Sequence, residues 1–515
     1  MKGAKMEKCM GIRKGAQGEF FYPPLFTITL REKRKSNITQ MGGFMKRLMI
    51  TMLAVASAAT LGMAQQKDSA VSGGQSATSI DSVKEQVGNV KGEVDGLNES
   101  YAETKATVGA LSKIKVSGYI QAQWVRGDTA GIVDGSNKVV TDRFLIKRGR
   151  LKTTYDAGLS QYVLEIDATQ DGVIIKDVYA MFKDPWLKSF ALTMGSQDRP
   201  FGYEVHYSSS SLESPERSRV IGTFFPKEKD LGAMLEFAQE DGPLSWLSAK
   251  VGVFNGQTNI LDENDGYKDI IGRLGVNFAM PNAGLSVSGG VSGYYGKVQS
   301  TDTTGKVGKN YAMSGTTWVG ANDTKFNEAF LREYYGADLQ LTYATPVIGG
   351  TCIKGEVVGG HEPGTSGSSN YYATNNSIAN AISGTPAVTY GVQSGSSVYE
   401  RSALGWYGYF IQNLDPASMQ LVFKYDIYDP NTAVGPADFD TTKSAVKPNL
   451  NAADIAYQTF GLGLLWYVPW ATNVRCMLFY EINQNEKLTN PIGSLAKYKN
   501  DLTDNLLTAR IQVKF

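Results

Sequence analysis

The sequence predicts an all-β fold: a transmembrane antiparallel β-barrel of about sixteen strands, preceded by an N-terminal α-helical coiled coil. Three features carry this prediction. The last strand alternates apolar and polar residues without a break and ends on an aromatic residue. Short turns alternate with long polar segments through most of the chain. A heptad seam precedes the first strand.

The closing stretch Asn505 to Phe515 reads N-L-L-T-A-R-I-Q-V-K-F. Leu507, Ala509, Ile511, Val513 and Phe515 alternate with Thr508, Arg510, Gln512 and Lys514. Period two means one apolar and one polar face. A soluble sheet rarely stops on an exposed terminal Phe. A closing barrel strand does so readily, because one face meets lipid and the other a wet lumen.

Composition narrows the classes. Mean hydropathy is -0.23, and beyond the first seventy or so residues no apolar run is long enough to cross a bilayer as a helix, which excludes a multi-helix membrane protein. A net charge of +1 argues against nucleic acid as a partner. The chain is rich in Tyr (27) and Gly (56), as expected where inward residues dilute the apolar signal of a barrel. Three cysteines, Cys9, Cys352 and Cys476, and two histidines, His206 and His361, leave too little for a cysteine-rich metal site. No metal and no cofactor are expected.

Residues 1–44 are basic and aperiodic and read as an over-extended start. Met45-Lys46-Arg47, an apolar stretch from Leu48 to Leu61 and Gly62-Met63-Ala64 make an export signal over 45–64, cleaved after Ala64. A polar linker follows over 65–78. Residues 79–112 then carry an a/d seam: Ile80, Val87, Val94, Tyr101 and Val108 interleave with Val83, Val90, Leu97, Thr104 and Leu111. About five heptads on one seam predict a periplasmic coiled coil, and β-branched seam residues favour three strands. Gly88, Gly92, Gly96 and Gly109 weaken it by up to roughly 1 kcal/mol each. The alternative is a single amphipathic helix lying along or plugging the barrel.

From Lys113 to Phe515 the period is two. Turn-like breaks fall at Asp156-Ala157-Gly158, Asp184-Pro185-Trp186, Asp241-Gly242-Pro243, Pro281 to Gly284, Pro346 to Gly350, Asp415-Pro416-Ala417 and Pro469 to Thr472. Longer polar segments lie between them, the longest being Lys297 to Glu328, Gly360 to Glu400 and Asp429 to Tyr457. Seven short turns with both termini on the same rim give about sixteen strands. Trp186, Trp246, Trp466, Tyr467 and Trp470 sit near the short turns, where an aromatic girdle belongs.

Alternation also assigns faces. Arg148, Arg150 and Lys152 share one face of their strand, and Gly149, Leu151, Thr153 and Tyr155 the other. A cation facing lipid at the midplane costs roughly 2–4 kcal/mol, so the three cations face the lumen. By the same test Gln420, Val422, Lys424, Asp426, Arg475, Glu481, Glu165 and Asp167 face inward. Both signs line the lumen, which predicts an aqueous channel without strong anion selectivity.

The chain resembles the phosphate-selective porin O and P family of outer-membrane channels. The matching pieces are R-F-L-I-K-R-G-R-L (Arg143 to Leu151), G-S-Q-D-R-P-F-G (Gly195 to Gly202), S-P-E-R-S (Ser214 to Ser218), D-L-G (Asp230 to Gly232), G-V-F-N-G (Gly252 to Gly256), Arg273-Leu274 and the terminal R-I-Q-V-K-F. The resemblance covers most of Lys113 to Phe515, most firmly up to about Lys297. It implies a homotrimer of barrels in the outer membrane of a Gram-negative bacterium, passing small solutes or anions. It also implies one loop, Phe201 to Lys229, folded inward to narrow the pore. The pore-lining and constriction residues would be Arg148, Arg150, Lys152, Arg199, Arg217, Arg219, Lys227, Glu165 and Asp167. Guanidinium donors suit phosphate oxygens. The competing role for each Arg is a lumen salt bridge with Glu165, Asp167 or Glu213. The basic set is short and mixed with carboxylates, a departure from a phosphate-selective pattern.

The reading is therefore a passive porin rather than an enzyme. One alternative is a structural tether built on the coiled coil. A remote one is a barrel hydrolase using Ser208 to Ser211 beside His206, where no third orienting group is marked.

Overall fold

The computed structural model describes residues 76–128, 142–170, 172–257, 266–299, 309–323, 329–365, 367–369, 398–440, 442, 450–502 and 504–515. Residues 1–44, the export signal over 45–64 and the linker up to residue 75 lie outside the described residues, as does most of the long segment between Gly360 and Glu400. The chain divides into a helical unit and a barrel unit.

The helical unit contains α1, Ser76–Leu111, a single helix of 36 residues that starts three residues ahead of the expected boundary. Its seam residues from Val83 to Leu111 are solvent-exposed: Val94 is 51 % exposed, Val87 61 % and Leu97 71 %.

The barrel wall runs β1 (Ile114–Gly127), β2 (Asp142–Asp156), β3 (Ser160–Thr169), β4 (Gly172–Lys183), β5 (Phe190–Asp198), β6 (Lys229–Ala238), β7 (Leu247–Phe254), β8 (Asp269–Met280) and β9 (Leu285–Gln299). After the hairpin β10 (Lys309–Ser314) and β11 (Thr317–Asp323) it continues with β12 (Ala329–Thr345), β13 (Gly349–Gly364), β14 (Val398–Leu414), β15 (Met419–Asp429), β16 (Tyr457–Tyr467), β17 (Val474–Asn485) and β18 (Leu506–Lys514). Each wall strand pairs antiparallel with the next, and β9 pairs directly with β12. The first and last strands, β1 and β18, pair from Tyr119↔Lys514 to Gly127↔Leu506 and close the sheet. Leaving aside the hairpin, the wall has sixteen strands. Closure removes the exposed edges that an open sheet would leave unpaired.

All seven predicted breaks are turns on one rim. Asp184 shows how such a turn is held. Its carboxylate accepts from the backbone N–H groups of Trp186, Leu187, Ser189 and Phe190 at 2.6–3.1 Å. These donors, Phe190 foremost, hold its carboxyl below the usual carboxylate range. Trp186 and Trp470, 87 % and 80 % exposed, stand at this rim. Trp246 stacks on Phe278 and Trp466 packs edge-on to Trp470, both with ring centres 5.5 Å apart.

The opposite rim departs from expectation at one connection. β3 and β4 join through a tight hairpin, Thr169 paired to Gly172, where a long loop was expected. Gly172, with φ 121°, supplies the backbone freedom that such a turn favours. Elsewhere the long segments build structure. The β10–β11 hairpin leaves the wall after β9, and β10 docks parallel on β14. Trp318 donates to Asp454 (3.2 Å), which also pairs with Arg401 (2.9 Å) with both side chains fully buried. Val434, Phe439, Ile455, Leu488 and Tyr498 form a small apolar core among these loops.

The assigned faces hold. Arg148, Arg150, Glu165 and Asp167 are buried inward, whereas Leu151 is 40 % exposed. Thr508, Arg510 and Gln512 are buried inward on β18, while Ile511 and Phe515 face out. Alternation breaks in β4, where a register shift inserts Lys176 and buries both Lys176 and Asp177. Cys352 and Cys476 are both free thiols.

Candidate functional site

Between β5 and β6 the chain leaves the wall over residues 199–228 and packs against inward-facing residues of the barrel. Lys229, expected at the end of this loop, is the first residue of β6. The loop contains a six-residue helix, α2 (Arg219–Phe224), capped by Ser218. Val220, Ile221, Phe224 and Phe225 are completely or almost completely buried. They join Phe201 and Val205 in one apolar cluster with Tyr294, Tyr334, Cys352, Ile411, Val422 and Phe479 from the wall. The lumen is thus not wetted all round. Strands β13–β17 carry apolar inward residues because the loop covers them.

Two glycines make the close approach possible. Gly202 has φ 56°, and a Cβ there would lie 1.6 Å from Glu356 Oε1. At Gly405 on β14 a Cβ would meet a Val220 methyl at 2.7 Å. Neither position tolerates a side chain without moving the loop.

Polar anchors ring the loop. Gln121 and Gln512 donate to the carbonyls of Ser209 and Ser210 at 3.1 and 3.0 Å. Glu356 accepts from the backbone N–H of Glu204 at 3.2 Å and from the Tyr407 hydroxyl at 2.9 Å. Lys354 pairs with Glu213 at 2.7 Å, and its ammonium lies 4.1, 5.0 and 5.4 Å from the ring centres of Tyr207, Tyr409 and Tyr203. An ammonium enclosed by three ring faces and one carboxylate is well compensated in a buried site.

The predicted constriction residues separate into two groups. Most hold the loop or one another. Arg148 pairs with Glu216 at 2.9 Å. Arg150 bridges Glu165 (3.1 Å) and Asp167 (3.2 Å). Arg199 donates to the Pro226 carbonyl at 3.0 Å and lies over the Phe225 ring. Arg217 pairs with Glu228 at 2.5 Å and donates to the carbonyls of Glu204 and Tyr207. Arg219 sits 4.6 Å from the ring centre of Tyr457. Lys227 and Glu228 both have positive φ where the loop turns back to the wall. Lys152 alone of the nine lines an open cavity of about 220 Å³.

That cavity lies between the loop and the β2–β8 side of the wall. Its other charged residues were not among the expected constriction residues. Lys229 lies 2.6 Å from Asp177 and 2.7 Å from Asp198, Lys250 lies 3.3 Å from Glu236, and Arg273 lies 2.6 Å from Asp338. The period-two pattern marks Glu236, Lys250 and Arg273 as inward, but the β4 bulge that delivers Asp177 has no such signal. His206 Nδ1 is 4.0 Å from Asp198. The Ser208 and Ser210 hydroxyls contact each other at 3.1 Å, and the Ser209 hydroxyl accepts from Arg217 at 3.2 Å.

Two quoted motifs meet in space: Asp230 of D-L-G accepts from the backbone N–H of Gly256 at 3.0 Å, tying β6 to the end of β7. No protein-family model matches the sequence, and no curated protein matches it. Among solved structures the chain is similar to OprB of Pseudomonas putida, at 10 % identity and a TM-score of 0.46 over 79 % of this chain and 96 % of that one. It is also similar to an anion-selective porin from Comamonas acidovorans (12 %, TM-score 0.43, 78 % and 99 % covered) and to the outer membrane channel DcaP of Acinetobacter baumannii (10 %, TM-score 0.43, 78 % and 97 % covered).

Proposed function

We propose that the protein is an outer-membrane porin of a Gram-negative bacterium, a passive diffusion channel for small hydrophilic solutes. The observation that carries this reading is a closed sixteen-strand wall, apolar outside, whose inward loop leaves a polar cavity against one side of the lumen. Selection in such a channel follows from pore radius and the field at the constriction, with no bond made or broken.

Anion or phosphate preference is the finer part of the proposal. Lys152, Lys229, Lys250 and Arg273 support it, and the carboxylates beside Lys229, Lys250 and Arg273 weigh against it. Arg148, Arg150, Arg199, Arg217 and Arg219 then act as scaffold for the constriction, with Lys152 facing solute. A homotrimer with a periplasmic N-terminal segment is supported by the exposed seam of α1, whose apolar residues gain cover in a three-stranded coil. The same helix could instead serve a tether.

The test is a planar-bilayer recording under a salt gradient, with phosphate then added to chloride. A weakly selective ohmic pore is expected. Strong anion reversal with chloride current blocked by low phosphate supports the phosphate reading. Absence of conductance overturns the channel and favours the tether.

A further inference from the structure

The outward face of β18, β1 and β2 carries a groove of about 830 Å³ lined by Ala122, Trp124, Phe144, Ile146, Ala509 and Ile511. Small and large residues alternate across it: Ala122 lies opposite Ile511, and Ala509 opposite Trp124. Phe144, 83 % exposed, is the most exposed large apolar side chain on any wall strand among the described residues. Its strand also overhangs a neighbour. β2 pairs with β3 from Arg150↔Asp167 to Asp156↔Gln161. Beyond Arg150, the N–H groups of Ile146 and Gly149 donate to the Gln170 and Asp167 side chains at 3.1 and 2.9 Å.

Chain connection and charge both point to what covers this face. Only Ser112 and Lys113 separate the last residue of α1 from the first of β1. A link of that length reaches roughly 11 Å at most. Copies of α1 that join along their seam therefore gather their β1 strands about the same axis. At the rim, Arg126 and Asp128 lie at the end of β1, and Asp142 and Arg143 begin β2, all four exposed. A lipid phosphate there would meet two carboxylates as well as two guanidinium groups. A second copy presents a partner for each sign. Within lipid, apolar faces gain nothing by leaving water, so association rests on close packing. A groove floored by alanines beside a projecting ring provides for that, and aromatic and arginine side chains are enriched where proteins meet.

We infer that the β18–β1–β2 face is where copies of this chain meet, with Phe144 and Trp124 as its aromatic anchors and Ala122 and Ala509 as the floor they approach. The inference rests on the trimer reading and specifies its surface.

The experiment uses the full-length protein in outer membranes, with the photoreactive analogue p-benzoylphenylalanine in place of Phe144, one aromatic for another. A control places it at Leu339 on β12, across the barrel and 52 % exposed. Irradiation should link position 144 to a second copy, giving bands at multiples of the chain mass that contain peptides of this chain alone. Position 339 should give lipid adducts only. Ala122→Trp fills the groove floor and should lower the ratio of trimer to monomer in unboiled samples by about tenfold, a loss of one order in the association constant. Leu339→Trp should leave the ratio unchanged. Lipid adducts alone or a different protein at position 144, links between copies at position 339 only, or an unchanged ratio in Ala122→Trp overturns the inference. If Ala122→Trp fails to fold, the crosslinks decide. A trimeric wild type without a link between copies at position 144 overturns this face and leaves the trimer reading in place. A monomeric wild type overturns both.

Discussion

Gly118 and Phe515 exchange both of their backbone hydrogen bonds. The Gly118 N–H donates to the Phe515 carbonyl at 2.9 Å, and the Phe515 N–H to the Gly118 carbonyl at 3.0 Å. This pair fastens the last residue of the chain to the first wall strand. A Cβ on Gly118 would lie 2.2 Å from the Arg150 carbonyl and 2.7 Å from the Phe515 ring. The carbonyl belongs to the neighbouring strand and cannot step aside. Gly118→Val is expected to destabilise the closed barrel by about 1–3 kcal/mol, the usual range for overpacking. Phe515→Ala keeps the backbone pair and should cost less. Urea unfolding of the lipid-reconstituted protein, followed by loss of the heat-modifiable band, ranks the two.

Lys354 and Glu213 are the most deeply buried of the ion pairs that anchor the loop, each side chain only 2 % exposed. Removing one partner strands the other charge, a loss of about 3–5 kcal/mol in buried pairs. Lys354→Met is expected to loosen residues 199–228, giving a noisier and larger single-channel conductance. The double variant Lys354→Met/Glu213→Gln should recover part of the stability and quiet the current. Equal behaviour of single and double variants would show that the pair does not hold the loop.

Glu216 carries a pH dependence of defined sign. Burial raises its pKa, but Arg148, Lys147 and Arg510 outweigh burial and hold the carboxyl down at about 2. A depressed folded-state pKa contributes stability above the unfolded value of roughly 4.3 that is lost as pH falls toward about 2. Loop anchoring should therefore be flat from neutral pH to about 5 and weaken below it. The side chain is 43 % exposed, so solvent screens the pairs and the effect is modest. Limited proteolysis of the loop with pepsin across pH 5 to 2 reads this, and Glu216→Gln should abolish its share of the change.

The seam of α1 predicts assembly. Val87→Asp with Val94→Asp places two charges at seam positions that are 61 % and 51 % exposed in the single chain. If the seam joins three chains, unboiled samples on native gels shift from trimer to monomer. Trimers that persist in the double variant would assign assembly to the barrel and free the helix for a tether.

Much of the wall was legible in the sequence, for a physical reason. A lipid-facing strand tolerates almost no charge, so the positions of Arg148, Arg150, Lys152, Lys424 and Arg475 fix which face of each strand turns inward. The seven short turns carry their own markers in Asp, Pro and Gly. The candidate site was legible only in part. Of the expected constriction cations, Lys152 lines the cavity, whereas Arg148, Arg150 and Arg217 lie against carboxylates of the loop and wall. Their chemistry suits solute and salt bridge equally, and only the position of Glu216, Glu228, Glu165 and Asp167 separates the two. The tight β3–β4 hairpin and the bulge at Lys176 were missed, because each involves one or two residues and no change of composition.

The sequence by itself determined the number of wall strands, their faces, the rim on which the short turns lie and the helix ahead of the barrel. These follow from local periodicity, since each strand must satisfy lipid on one side wherever it sits in the wall. Only the tertiary structure determined which half of the lumen is filled and which carries the cavity. That outcome depends on where residues 199–228 come to rest, and their partners Gln121, Lys354, Glu356 and Gln512 lie on strands far away in sequence. Contacts of that range are set by closure of the barrel, which local pattern does not encode.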